Sequence, residues 1–256
     1  SMRRDKMKKP PANGLPPVNS NILAIEASSR QLSIAVMVNG KVLTALQHLA
    51  AYGHAVGIVP LSIEALNDAR MTFDAITHVA VGCGPGSFTG IRVALAAAKG
   101  FCIAHNATGV GVSGLQALGY AAISLAPDAT TTCLVLAETR RGPLYAQIFD
   151  ATAHPKGPVF EASIEQLPYL IDRKVAGSDL RVIGTDRLAV ADALTMVGIS
   201  ATLPDVDEMP NASMVACLAN EQIFKNQTSP LDPLYLADPR LGPKKKQVDD
   251  SAPTYP

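Results

Sequence analysis

The sequence predicts an α/β fold in which an antiparallel hairpin lies beside a partly parallel sheet. Three apolar strand segments open the chain, at residues 22–28, 32–38 and 41–47. Asn39-Gly40, between the last two, is a strong two-residue hairpin signal. Helical and strand segments alternate after them, which is typical of a sheet with parallel members. A strand pair at 132–138 and 143–149 partly echoes this opening and favours two related lobes, although the sequence carries no clear repeat.

The remaining segments complete the predicted order of elements. Helices are predicted at 53–70, 87–104 and 113–125, with strands near 77–83 and 109–112. In the second half, helices are predicted at 162–172, 186–197 and 211–225, with a short strand at 180–184. The two ends of the sequence are rich in charged residues and proline. This composition predicts that residues 1–20 form a disordered tail and that residues 237–256 fray.

Residues 80–104 form the stretch around which the chain is organised, a strand, a glycine turn and a helix. The motif consists of Gly84, Pro85, Gly86, Ser87, Phe88, Thr89, Gly90 and Arg92. Ser87 or Thr89 can cap the new helix with a side-chain oxygen. A glycine turn before a helix N-terminus can cradle an anion, or it can allow close packing of backbone. Lys99 lies too far along for a Walker A loop, and the spacing of the glycines fails the dinucleotide-binding fingerprint.

Two helix faces are candidates for contact with another protein. On the helix at 87–104, the small residues Gly90, Ala94 and Ala98 fall four apart, so another helix could approach closely. On the helix at 53–70, the apolar stripe consists of Val56, Val59, Ile63 and Leu66. Both stripes could instead pack on the chain's own sheet, as every amphipathic helix must do in part.

Composition bounds the function only broadly. The 22 Lys and Arg residues balance 22 Asp and Glu residues, which removes the usual electrostatic argument for broad binding to nucleic acid or to a membrane surface. The chain has no apolar run of roughly 18 residues that would predict a membrane helix. Four cysteines without metal-ligand spacing predict buried thiols in a reducing cytoplasm.

Polar side chains at the ends of two strands are candidates for a phosphate or nucleotide contact. Glu26, Ser28 and Ser29 end the first strand, and Arg140 and Arg141 follow Glu138 in the second half. A carboxylate with hydroxyls could bind a phosphate or its metal, and an arginine pair can clamp an anion bidentately. Exposed polar turns are the more common explanation of both groups. The spacing of the residues indicates neither a catalytic triad nor a metal site.

Taken together, the motifs resemble the TsaB (YeaZ) family. The motifs that carry the resemblance are the strand with Glu26, Ser28 and Ser29, then His54 with Val59-Pro60-Leu61, then the block Gly84-Pro-Gly-Ser-Phe-Thr-Gly-Ile-Arg92 with Lys99-Gly100, and finally Arg140-Arg141-Gly142 with Tyr145. The glycine block is the most specific of them. The likeness covers residues 21–150 and thins out towards Leu234-Tyr235-Leu236.

The resemblance implies an actin-like ATPase (ASKHA, ribonuclease H-like) fold of two lobes, the second reduced. It implies a cytoplasmic, non-catalytic subunit that binds the paralogue TsaD while N6-threonylcarbamoyladenosine is formed at position 37 of tRNAs reading codons that start with A. TsaE acts as the ATPase of that pathway, tRNA meets the chain through the complex, and ATP and a metal ion belong to the complex. Whether the chain forms a homodimer in the absence of TsaD is left open by the resemblance. The predicted units are a tail at 1–20, lobes at 21–116 and 117–208, a closing segment at 209–236 and a second tail at 237–256.

One segment tests the non-catalytic assignment. TsaD-like proteins carry two metal-binding histidines four apart, and here Gly114 and Leu118 stand at those positions. The resemblance also has a departure: Glu26 replaces the aspartate usual in the family, which argues against nucleotide binding by this chain alone. Three alternatives stay open: a free-standing ATPase or phosphotransferase of the same superfamily, a protease acting on TsaD, and direct tRNA contact. That contact would use basic tail residues at 3–9 and 244–246.

Overall fold

A computed structural model of the chain describes residues 19–49, 54–139, 142–171 and 179–234. The first sheet consists of β1 (Asn21–Glu26), β2 (Gln31–Val38), β3 (Lys41–Leu49), β4 (His78–Gly82) and β5 (Thr108–Val112), in the order β3-β2-β1-β4-β5. Strand β1 is antiparallel to β2 and parallel to β4. The hairpin predicted from Asn39-Gly40 is confirmed, since both residues adopt the positive φ that such a turn requires, 49° and 77°.

Helices cover both faces of this sheet. On one face lie α1 (His54–Asp68) and α2 (Phe88–His105), which pack on each other and on a core that includes Leu23, Ile25 and Val81. A short 3-10 turn, Phe73–Ala75, precedes β4. The other face packs against a C-terminal helix (Ala212–Phe224), and α3 (Gly114–Leu125) lies between that helix and the second sheet. Strand β1 is therefore buried on both sides.

The second sheet repeats the plan of the first in shorter form. It consists of β6 (Thr131–Ala137), β7 (Leu144–Phe149), β8 (Phe160–Ala162) and β9 (Asp179–Gly184), in the order β8-β7-β6-β9. Strand β6 is antiparallel to β7 and parallel to β9, as β1 is to β2 and β4. Helices α4 (Leu167–Leu170) and α5 (Arg187–Met196) cover one face, and the C-terminal helix is α6. The described part of this half has no counterpart of β5, so the second lobe is the reduced one.

Three sequence predictions need correction. The helix predicted at 162–172 is wrong, because β8 ends at Ala162 and only Leu167–Leu170 is helical. A turn in which Gln166 Oε1 accepts the Ser163 N–H intervenes. Ser20, placed in the predicted tail, is buried and its carbonyl accepts the N–H of Asn39. The predicted lobe limit at 116/117 falls inside α3.

The two predicted tails and the end of the closing segment lie largely outside the described residues, which begin at 19 and end at 234. Within the part of the chain that the structure describes, none of the helices is long and apolar enough to cross a membrane.

Candidate functional site

The glycine loop connects β4 to α2 in a tight turn. Gly84 and Gly86 adopt φ of 100° and 154°, values that favour glycine. Ser87 is the helix cap, since its Oγ accepts the N–H of Gly90 at 3.3 Å. Of the two predicted caps, Ser87 is therefore the one used.

The loop packs against the segment that leaves β1. The Ser28 carbonyl accepts the Ser87 N–H at 2.6 Å. A Cβ built on Gly86 would lie 2.2 Å from the Ser28 oxygen, and one built on Gly90 would lie 2.0 Å from the Ala27 oxygen. These two glycines are thus required by the chain's own backbone, which supports the packing alternative at these positions.

A C-terminal segment holds the loop from its other side. The Leu234 N–H donates to the Cys83 carbonyl at 2.9 Å, and the Gly111 N–H donates to the Ser229 carbonyl at 2.8 Å. Leu231 inserts into the core beside α2. The glycine loop is therefore clamped between residues 27–28 and residues 229–234.

Glu26 is fully buried at the end of β1. Its Oε1 accepts the Ser28 N–H at 2.6 Å, while its Oε2 has no hydrogen-bond partner among the described residues. Burial raises the pKa of this carboxyl above its ordinary value, against the lowering effect of the bonds at Ser28. A Cβ built on Gly82 would lie 1.7 Å from Oε2, so the carboxyl fills the space that this glycine leaves.

The predicted phosphate contacts are brought together only in part. Glu26 and Ser28 are adjacent but both are buried, so their side chains are not presented to a ligand in this conformation. Ser29 is half-buried. Arg140 and Arg141 lie outside the described residues.

The space between the lobes is closed at its base by the segment that leads into α6. The Gln31 amide donates to the Pro210 carbonyl at 3.5 Å, and the Ala212 N–H donates to Ser33 Oγ at 2.9 Å. Pro210 also lies against Gly114. At the rim, Arg30 and Glu138 face each other at 3.6 Å.

The predicted partner face of α2 is wrong in its register. Gly90, Ala94 and Ala98 are buried against the chain's own sheet, as is Leu66 of α1. Helix α2 carries a second set of small residues four apart, and this one is exposed: Ala96, Gly100 and Ala104. Two sets of small residues on α2 share this spacing, and the spacing alone does not distinguish the buried set from the exposed one.

The exposed face of the α1–α2 pair is apolar. Val59 and Ile63, both predicted for this role, are 46% and 45% exposed, and Ile103 is 85% exposed. The side chain of Val56 is not described. At the start of α2, Phe88 and Arg92 are exposed, with the guanidinium carbon 3.7 Å from the ring centre.

The thiol prediction is confirmed for three cysteines, and all four are free. Burial raises the pKa of Cys83 to about 11 and those of Cys133 and Cys217 to about 12, which makes them poor nucleophiles. Cys102 is half-buried. Within the described ranges, His, Cys, Asp and Glu side chains form no group of three that could hold a metal ion.

Sequence reasoning missed a cavity of about 510 Å³ in the second lobe. Its walls include Gly142, Ser163, Glu165 and Asp186, which come from the start of β7, the turn before α4 and the start of α5. These residues are far apart in the sequence and share no motif, so only the fold brings them together.

Comparison with known proteins finds similarity to proteins of tRNA modification and to uncharacterised proteins. Residues 46–156 match the family model of TsaD, tRNA N6-adenosine threonylcarbamoyltransferase. The tRNA threonylcarbamoyladenosine biosynthesis protein TsaB of Haemophilus influenzae is 32% identical over 107 residues, 42% of this chain and 45% of the relative. The Escherichia coli TsaB is 30% identical over 124 residues, 48% and 52% of the two chains. An uncharacterised Mycobacterium tuberculosis protein is 28% identical over 226 residues, 88% of this chain and 95% of the relative.

Solved structures give the fold. YeaZ from Pseudomonas aeruginosa superposes with a TM-score of 0.66 at 22% identity, covering 85% of this chain and all of that one. A ROK hexokinase from Thermus thermophilus superposes with a TM-score of 0.51 at 9% identity, covering 80% and 99%. The chain has the actin-like ATPase fold, in agreement with the two similar sheets.

Proposed function

We propose that the chain is the non-catalytic subunit that binds a TsaD-type transferase. Its similarity to relatives named as tRNA threonylcarbamoyladenosine biosynthesis proteins supports this proposal. The complex forms N6-threonylcarbamoyladenosine at position 37 of tRNAs that read codons starting with A. In this proposal the chain works in the cytoplasm, TsaE joins the same complex, and ATP, a metal ion and tRNA are bound there rather than by this chain alone.

The observation that carries the proposal lies in α3. The two positions where TsaD-like proteins carry metal-binding histidines are Gly114 and Leu118 here. Neither residue offers a ligand atom on its side chain. Leu118 is fully buried in the core, and a Cβ on Gly114 would already contact Pro210 at 3.4 Å. The space is used for packing, which supports the proposal that a partner carries out the metal-dependent transfer.

The exposed face of α1 and α2 supports the binding role. Val59, Ile63 and Ile103 offer apolar area that gains free energy when it is buried. Ala96 and Gly100 are exposed between them, and a Cβ built on Gly100 would meet no heavy atom within 4 Å. Small residues in that position let a partner helix come close. We propose that this face, rather than the inner stripe, contacts TsaD.

Gly100→Arg tests the surface, measured by co-purification and titration with TsaD. We expect binding to weaken by about 100-fold or more, because a long charged side chain would stand between the two helices, a cost of roughly 3 kcal/mol. The fold should survive, since arginine favours a helix by close to 1 kcal/mol over glycine. Ala94→Arg is unsuitable, because Ala94 is buried and the variant would fail to fold.

Ala189→Arg, on the exposed side of α5, is the matched control and should bind TsaD like the wild type. Unchanged binding by Gly100→Arg would reject the surface. A wild-type chain that fails to bind TsaD would reject the proposed function. ATP turnover by the wild-type chain alone would favour the free-standing ATPase.

A further inference from the structure

A chain of hydrogen bonds leads from Glu26 to the first turn of α2. Glu26 Oε1 accepts the Ser28 N–H at 2.6 Å, and the Ser28 carbonyl accepts the Ser87 N–H at 2.6 Å. Ser87 in turn caps the helix through Gly90. The glycine loop is therefore connected, through these hydrogen bonds, to one buried carboxyl.

Burial outweighs the hydrogen bonds from Ser28 and Ala27 that favour a negative charge on Glu26. It is fully buried, its Oε2 has no partner among the described residues, and β4 presents Gly82 against it. Strand β2 places Ser33 opposite, and the first turn of α6 beyond Ser33 holds no ionisable side chain. A buried carboxylate with one unpaired oxygen is costly, and protonation removes most of that cost.

The ionisable side chains near Glu26 are few. Strand β4 contributes Cys83, whose thiol has a pKa of about 11 and stays neutral, and Asp232 of the C-terminal segment acts on Cys83. The loop after β1 (residues 27–29) and the first turn of α2 carry no ionisable side chain. Of the ionisable groups named here, Glu26 is the one that bonds directly to the turn.

We propose that Glu26 acts as a pH-sensitive latch. In its neutral form, it holds residues 27–29 against the glycine loop and so fixes the start of α2. When Glu26 ionises, this contact weakens. The latch is a property of this chain alone and does not depend on TsaD. If TsaD binds the outer face of α2, the charge of Glu26 also affects how well ordered the start of that helix is when TsaD binds.

The sign of the pH dependence follows from the raised pKa of Glu26. When the turn opens, the carboxyl meets water and regains an ordinary pKa of about 4.3. Below that value the closed turn keeps its full stability. Between it and the raised pKa of the closed state, each pH unit favours opening tenfold, and above the raised pKa the effect levels off.

Amide hydrogen exchange tests the latch in the full chain, with rates corrected for their intrinsic pH dependence. In the wild type, protection of the Ser28 and Ser87 amides should fall tenfold per pH unit in that window. Glu26→Gln keeps the acceptor oxygen and the shape but cannot ionise, so protection should stay within twofold. Glu138→Gln, the exposed glutamate after β6, should behave like the wild type. A flat wild-type profile, or a Glu26→Gln profile that keeps the slope, would overturn the proposal.

A second measurement covers the case in which Glu26→Gln fails to fold. The Glu26 Cδ resonance of the wild type can be titrated directly by NMR. We expect its midpoint to lie above the ordinary value and to coincide with the pH at which Ser87 protection levels off. A midpoint near 4.3, or a levelling at another pH, would contradict the latch.

Discussion

The central strands of the two sheets both lead to a glutamate, and the two glutamates have opposite environments. Glu26 is the last residue of β1 and is fully buried. Glu138 follows β6, and its side chain is 47% exposed and faces Arg30 at 3.6 Å. The strand order around them is the same. The difference comes from the connections, because the glycine loop and the segment leading into α6 enclose the end of β1.

The two halves also bury charge differently. The first half buries a carboxyl that has one unpaired oxygen. The second half buries Arg181, whose guanidinium donates to Asp179 and to the carbonyls of Ala122 and Ala126. A buried ion with several charged and polar partners mainly holds structure together, whereas a buried acid without a charged partner responds to pH. We therefore expect the second lobe to depend on Arg181 at every pH, and the contribution of Glu26 to the first lobe to change with pH.

Arg181→Met should have the largest effect on stability. It removes the hydrogen bonds from Arg181 to half-buried Asp179 Oδ2, which among the described residues keeps its bond from Thr131. It also removes the donor that Arg181 provides to the Ala122 and Ala126 carbonyls. Breaking such a buried network costs about 3–5 kcal/mol. Urea unfolding at pH 7 measures it.

Arg181→Lys is the control for charge, and it should recover only part of the loss because an ammonium cannot reach all three acceptors at once. A loss below about 1 kcal/mol in Arg181→Met would show that the second lobe does not depend on this network.

Gly82→Ala should cost about 2 kcal/mol, because its Cβ would overlap the Glu26 carboxyl and force it from its site. Removing the obstacle should relieve the clash, so that the cost in a Glu26→Ala background falls by at least about 1 kcal/mol in a double-mutant cycle. Thermal or urea unfolding of the four chains measures the coupling.

Gly184, at the end of β9, provides the contrast. A Cβ there would lie 1.9 Å from the Leu136 carbonyl oxygen, and its φ is 108°. That obstacle is backbone, so Leu136→Ala should not rescue Gly184→Ala. Additive costs at Gly82 and Glu26 would contradict the packing described for the first lobe.

The sequence predicted the sheet plan well and the burial of helices poorly. The hairpin at Asn39-Gly40 and the switch from strand to helix after Gly86 depend on local backbone preferences, which are visible in the residues themselves. The helix predicted at 162–172 failed because Pro168 and the turn at Ser163 limit regular structure to one short helix. Apolar content alone did not reveal this.

The candidate site was harder to predict because it depends on contacts between distant segments. Ala94 and Ala96 are chemically identical, and only the placement of α2 on the sheet decides which of them is exposed. Likewise, Glu26 looked like a ligand for phosphate. Its burial results from Gly82 and from the segments that enclose the end of β1, which no spacing within residues 22–29 encodes.

Glu138→Gln should have the smallest effect, and it isolates what burial contributes. The pair with Arg30 is largely exposed, so water and salt screen it, and the change in the free energy of unfolding should stay under about 0.5 kcal/mol. Raising the salt concentration to about 1 M should remove even that difference, because screening then acts within roughly 3 Å. Urea unfolding of Glu138→Gln and Arg30→Gln at both salt concentrations measures it. A loss above about 1 kcal/mol in the free energy of unfolding would mean that the pair joins the two lobes more tightly than its exposure indicates. The difference between Glu138 and Glu26 would then result from their bonding partners and not from their burial.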